Sequence, residues 1–212
     1  AHSDRNGKTM KTLTALTLAT ALAGAAAPAL AQEKGSMPLG IGIAGVLPDG
    51  SSNTAAGSIS VGDNVRPTLT FEYFLADNIG VEVLAAWPFE HDIKLAGAGT
   101  VGKTKHLPPT ISLQYHFTNK SSLTPFVGIG INYTTFWDDK GTGVLAGVPI
   151  GLDDSWGLAL HAGVDVAINE KSAFRFDVRY IDIETDVKVG GAPIGTVKID
   201  PWVINAAYVM KF

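Results

Sequence analysis

Trp202-Val-Ile-Asn-Ala-Ala-Tyr-Val-Met-Lys-Phe212 closes the chain, and its alternation decides the fold. One face carries Trp202, Ile204, Ala206, Tyr208, Met210 and Phe212; the other carries Val203, Asn205, Ala207, Val209 and Lys211. Successive side chains on a strand point to opposite sides, so a period of two marks a β-strand with one apolar face. A soluble edge strand would look the same in isolation. The decision therefore rests on how many other segments agree.

Seven others do. Leu39, Ile41 and Ile43 alternate with Gly40, Gly42 and Ala44, and Leu69, Phe71, Tyr73 and Leu75 alternate with Thr68, Thr70, Glu72 and Phe74. Similar runs start at Ile79, Thr110, Val127, Gly157 and Phe174. An even number of antiparallel strands brings both termini to one side, as a closed membrane barrel requires. The expected fold is all-β, an eight-stranded antiparallel transmembrane β-barrel.

The connections alternate as well. Residues 76–78, 118–124 and 169–172 are short and polar, whereas 47–64, 88–106, 137–154 and 184–197 are long, Gly-rich and expected as loops. Short turns on one side and long connections on the other match the periplasmic and exterior ends of an outer-membrane barrel. Trp87, Trp137, Trp156 and Trp202 all fall at long-connection ends, and indole favours the headgroup level. The opposite ends carry Tyr73, Tyr115, Phe117, Phe174 and Phe212, and with Tyr208 these residues suggest two aromatic girdles. The apolar parity is almost free of charge, as expected when Arg or Lys at a bilayer midplane costs about 2–4 kcal/mol. The other parity holds Glu72, Glu82, Asp165, Arg175, Asp177, Arg179 and Lys211, which in a narrow barrel would form a salt-bridged plug.

Composition is consistent with an exported protein. Residues 1–31 read as upstream residues followed by a cleavable signal: Met10-Lys11, an apolar run from Leu13 to Ala27, and Ala29-Leu30-Ala31 as a small-x-small cleavage pattern. The barrel then occupies 32–212. Removing Asp4, Arg5, Lys8 and Lys11 takes the formal charge from −4 to −6, and the absence of a basic stripe argues against nucleic-acid binding. No cysteine is present, which excludes disulfides and thiolate metal sites. After residue 31 there is no window of about 18 apolar residues, so no transmembrane helix is expected.

In order and spacing, Asp77–Pro88 (DNIGVEVLAAWP), Lys105–Thr110 (KHLPPT), Pro125–Trp137 (PFVGIGINYTTFW), Asp154–Gly157 (DSWG) and Asp200–Trp202 (DPW) resemble the OmpW family of small outer-membrane proteins. The resemblance implies localisation in the bacterial outer membrane and passage of small hydrophobic molecules. Their route would be an apolar channel in the outer half of the barrel, closed below and opening sideways into lipid. It also implies a channel floor of one Leu and one Trp, which by motif fall on Leu84 and Trp156. Simple alternation places Leu84 inward but Trp156 outward, so a bulge would be needed to turn the indole in. A last strand ending on Phe212 looks like the signal read by the barrel-assembly machinery.

No catalytic constellation stands out, and no cofactor is expected. Ser155 and His161 share a parity but are six residues apart, about 20 Å at the strand rise. Glu90, His91 and Asp92 could suggest metal ligands, but without a second half-site they read as a solvated loop. His106 could line the channel mouth but reads better as a hydrogen-bonded structural histidine, and Gly128 and Gly130 read as inward residues of a narrow lumen rather than a phosphate loop. The aliphatics of the 137–154 and 184–197 stretches suggest a vestibule for apolar solutes. Loops packed on one another would explain the same aliphatics, and a structural, receptor or envelope-stress barrel that transports nothing is the alternative.

Overall fold

The computed structural model describes residues 32–212; the targeting segment expected over 1–31 lies outside them. In chain order the strands are β1 (Pro38–Leu47), β2 (Ser51–Thr54), β3 (Gly57–Val61), β4 (Asn64–Ala76), β5 (Ile79–Ala86), β6 (Phe89–Leu95), β7 (Gly99–Leu107) and β8 (Thr110–His116). They continue as β9 (Leu123–Gly141), β10 (Ile150–Leu152), β11 (Ser155–Asn169), β12 (Ser172–Ile181), β13 (Glu184–Val189), β14 (Ala192–Lys198) and β15 (Trp202–Lys211).

Eight of these close a barrel in the order β1-β4-β5-β8-β9-β11-β12-β15, every neighbour antiparallel, with β15 returning to β1 from Pro38↔Lys211 to Leu47↔Trp202. They are the eight segments read from the alternation. Closure removes the unpaired edge that the terminal strand would otherwise present. Short turns join the lower ends. Asn78 adopts φ 67° between β4 and β5, and Asn169 Oδ1 accepts the Lys171 N–H (2.8 Å) between β11 and β12.

The inward positions are small or polar because the lumen is narrow. A Cβ at Gly80 would run into the Glu72 carboxylate, and one at Gly128 into the His161 ring. Outward, Ile41, Ile43, Leu69, Ile111, Ile129, Leu158 and Ile204 are exposed along the wall. In a membrane this aliphatic face contacts hydrocarbon.

The long connections are not loops. β2, β3, β6, β7, the upper part of β9, β10, β13 and β14 build a second storey on the barrel. β14 is tied to the β2 hairpin by Ala55 N–H to Ile194 O (2.9 Å) and Lys198 N–H to Ser52 Oγ (2.8 Å). β10 is tied to β9 by Leu152 N–H to Asp139 Oδ2 (3.2 Å). The physical reason lies in the same period of two, interrupted on β7 by a bulge at Val101. Ile59, Ile93, Val101, Val187 and Val197 point inward and are buried, while Glu90, Asp92, Lys103, Lys105 and Lys188 point outward. Above the tryptophans the outer face thus changes from aliphatic to ion-paired, with Lys105–Asp138 at 2.9 Å and Lys188–Asp153 at 2.7 Å. That change sets the upper limit of the lipid-facing band.

Candidate functional site

The lumen has two chemically distinct levels, and the lower one is charged. Arg175 Nε and Nη2 donate to Asp165 Oδ1 (2.7 Å) and Oδ2 (2.9 Å), its Nη1 to Glu82 Oε2 (2.9 Å), and Nη2 also to Glu72 Oε2 (3.1 Å). Arg179 Nε donates to Asp177 Oδ1 (2.7 Å) and Nη2 to Glu82 Oε1 (2.6 Å). Glu82 therefore bridges the two guanidiniums. Asn205 Nδ2 extends the network to Asp177 Oδ2 (2.8 Å), and Thr68 Oγ1 donates to Asn205 Oδ1 (2.9 Å).

Six of the seven predicted lumen charges meet here, all buried. Lys211 differs: it is half-buried at the lower rim, opposite Pro38 in register.

Sequence reasoning did not anticipate the other members of this level. His116 Nε2 lies 2.7 Å from Glu72 Oε1, and the Arg175 guanidinium carbon lies 4.6 Å from the centre of the Phe126 ring. Both residues are inward by parity, so alternation could have found them. Ionised groups at this density tolerate burial because they hydrogen-bond to one another. Removing one partner would leave a buried charge uncompensated.

Leu84 is inward and 5 % exposed, one inward step above Glu82 and in register with Thr70 and Thr110. It stands at the upper boundary of the charged level. Trp156 corrects the expectation taken from the resemblance. It lies on the outer wall, 73 % exposed, with its ring 4.7 Å from that of Tyr133. The β9–β11 ladder runs through Trp156↔Tyr133 without a register shift, so nothing turns the indole inward. Trp87, Trp137 and Trp202 are likewise exposed on the upper wall, and Tyr208 and Phe212 on the lower.

The upper level is an apolar chamber. Ile59, Phe89, Ile93, Val101, Phe136, Ile181, Ile183, Val187, Val197 and Ile199 form one buried cluster. Two voids open within it, of about 20 Å³ beside His91 and His106 and about 100 Å³ beside Leu145 and Ile194, sharing Ile59, Ile93 and Val187 in their walls.

His91 corrects the expectation of a solvated loop. It is buried, because β6 turns it inward and leaves Glu90 and Asp92 outside beside Lys103. Its Nδ1 donates to Gly62 O, and its ring stacks on His106 at 4.8 Å with 8° between planes. Phe89 and Phe136 flank His106 at 5.5 and 5.7 Å. Burial, reinforced by the neighbouring His91, holds His106 down to about 3. Burial lowers His91 too, against the opposing pull of the Gly62 carbonyl. Both rings are therefore neutral near pH 7.

Ser155 and His161 are both inward, and Ser155 Oγ accepts the Glu184 N–H at 3.1 Å. Among the described residues, no group of three or more His, Asp or Glu is placed to hold a metal ion.

Known proteins are similar to this chain in sequence and in structure. Outer membrane protein W of Vibrio cholerae is 41 % identical over 210 residues, covering 92 % of this chain and 97 % of that protein. The crystal structure of outer membrane protein OprG from Pseudomonas aeruginosa superposes with a TM-score of 0.77 at 33 % identity, covering 87 % of this chain and 99 % of OprG. A more distant relative, the dibenzothiophene metabolism operon protein PahQ of Pseudomonas aeruginosa, is 27 % identical over 164 residues, covering 74 % of this chain and 75 % of PahQ. The OmpW family model matches residues 33–212, which span the whole barrel and its upper storey. The chain thus belongs to the OmpW family and is a β-barrel of the bacterial outer membrane.

Proposed function

We propose that the barrel passes small hydrophobic molecules from the exterior into the outer membrane, without catalysis. One observation carries the reading: a buried apolar cluster with internal voids lies above a layer of buried, mutually paired charges. A solute that entered from above would find apolar walls and then a floor it cannot cross without breaking charge-assisted hydrogen bonds. Leu84, at the top of that layer, serves as the channel floor. A name such as that of PahQ, tied to the metabolism of a sulfur aromatic, agrees with an apolar cargo.

Exit is sideways, through the wall where β5 gives way to β6 and β7 to β8. The β5–β8 ladder ends at Leu84↔Thr110 and the β6–β7 ladder begins at Phe89↔His106. Between them Pro88, Pro108 and Pro109 have no N–H to donate. Asn132 Nδ2 holds the seam by donating to Pro108 O (3.1 Å), Pro109 O (3.2 Å) and Thr110 Oγ1 (3.0 Å). The exposed terminal Phe212 is read by the barrel-assembly machinery during insertion.

The test is entry of a hydrophobic fluorophore into vesicles whose outer leaflet is lipopolysaccharide. Entry should be faster with the protein than without it. Equal rates, with the barrel correctly folded, would leave a structural or receptor role instead.

A further inference from the structure

The His91–His106 pair has bonding capacity that the fold does not use. Both nitrogens of His106 and the Nε2 of His91 are buried without a hydrogen-bond partner, although polar atoms in such places are ordinarily satisfied. The two rings cannot satisfy each other. They stack nearly parallel, and ring N–H groups and lone pairs lie in the ring plane, so neither nitrogen points at the other ring's.

The chemistry at each ring is set by its neighbours. His91 Nδ1 is committed to the Gly62 carbonyl, which requires the proton on Nδ1 and leaves Nε2 of the neutral ring as a bare acceptor. Neutral His106 carries one N–H and one lone pair. Both rings line the same void, whose remaining walls include Ile59, Ile93 and Phe136. Side by side they offer an acceptor and a donor, to which a single hydroxyl group is the complement, because it can donate and accept at once.

The surrounding shape favours a ring. Phe136 lines the void beside His106, and Phe89 and Phe136 each lie within 6 Å of the His106 ring, centre to centre. The void at the histidines, about 20 Å³, has room for the hydroxyl; the one of about 100 Å³ that shares Ile59, Ile93 and Val187 with it would take the ring, and approaches the roughly 150 Å³ of an engineered cavity that takes up benzene.

We propose that His91 and His106 determine the chamber's specificity, selecting small aromatic solutes that carry one hydroxyl group, with that hydroxyl donating to His91 Nε2 and accepting from His106. This rests on the chamber being the entry site for solutes, as proposed above, and names their class.

The experiment uses the full barrel in lipid nanodiscs, with the isotope-labelled methyl groups of Ile59 and Ile93 as the readout. Toluene, p-cresol and 4-methylanisole are titrated at matched concentration in the bilayer. p-Cresol should saturate the methyl shifts at about five- to tenfold lower concentration than toluene, the worth of one or two buried hydrogen bonds. 4-Methylanisole, which has lost the hydroxyl proton, should behave like toluene. His91→Phe and His106→Phe, which keep ring volume, should each bring p-cresol within about twofold of toluene, whereas Trp156→Phe, on the outer wall away from the chamber, should leave the preference in place. Equal binding of all three solutes to the unaltered protein would overturn the proposal, as would a preference that survives both histidine substitutions. If no solute moves the methyl resonances, the transport reading fails as well. If all three move them equally, only the hydroxyl specificity fails.

Discussion

Asp165 and Arg175 face each other across the β11–β12 ladder and share two hydrogen bonds, Nε to Oδ1 at 2.7 Å and Nη2 to Oδ2 at 2.9 Å. The same guanidinium reaches Glu82 and Glu72 on the far wall, so one cation ties three carboxylates together. Arg175 thus pairs with three carboxylates in the lower lumen, Arg179 with two.

Replacing it should be costly. Arg175→Met keeps much of the volume but leaves Glu72, Glu82 and Asp165 facing one another without their shared cation. A loss of about 3–5 kcal/mol is expected, with Arg175→Lys intermediate because it keeps the charge but not the fork. Urea titration of folding into lipid vesicles measures this. A loss below about 1 kcal/mol for Arg175→Met would contradict the network's role.

Two glycines that face the lumen should tolerate no side chain. Gly80→Ala would push against the Glu72 carboxylate and Gly128→Ala against the His161 ring. Each should destabilise the barrel by about 1–3 kcal/mol, by the same titration. Gly45→Ala is the control, since a Cβ there meets only Val65 at ordinary contact distance.

Leu84 and Trp156 should separate cleanly. Trp156 lies on the outer wall, so Trp156→Ala should leave solute entry unchanged, and a variant retaining only that tryptophan should be quenched by brominated lipid. Leu84→Asn should slow or reroute entry, because it places an amide at the base of the apolar chamber. Unchanged entry for Leu84→Asn would remove it as the floor.

His106 should stay neutral far into acid. With its folded value near 3 and an unfolded value near 6.5, the unfolded chain binds more protons between those limits. Stability contributed by this residue is therefore full above about pH 6.5 and falls as pH drops toward 3. His91, also lowered by burial, acts in the same direction. The ring resonances of His106 should show no titration step between pH 8 and 5. A step near pH 6.5 would mean the chamber is wet.

Thinning the chamber's walls should reduce entry without unfolding the barrel. Ile93→Ser with Val187→Ser exchanges aliphatic for hydroxyl surface in both voids. Entry of an apolar fluorophore should fall about tenfold, with β-sheet circular dichroism unchanged.

The eight wall strands could be read from the chain because parity is a local property. A residue such as Ile129 or Glu82 is assigned to lipid or lumen by its neighbours alone, and the cost of placing charge in hydrocarbon enforces the assignment. The same parity put Trp156 outside, where it lies, while the motif likeness had suggested the lumen. The upper storey was legible by that rule too, through Ile93 between Asp92 and Lys94 or Val187 beside Lys188. Its glycines and length made it look like loop.

Which inward groups meet could not be read in this way. Arg175 finds Glu82 and Glu72 across 93 and 103 residues of chain, and His91 stacks on His106 only because β6 and β7 pair in one register. Alternation states which side a residue faces but not its height in the barrel. Height is set by the stagger between strands when the sheet closes, a collective property of all eight. The sequence by itself therefore determined a membrane barrel with a charged interior. Closure alone decided that the charges gather below and the aliphatics above, with two unsatisfied histidines between chamber walls.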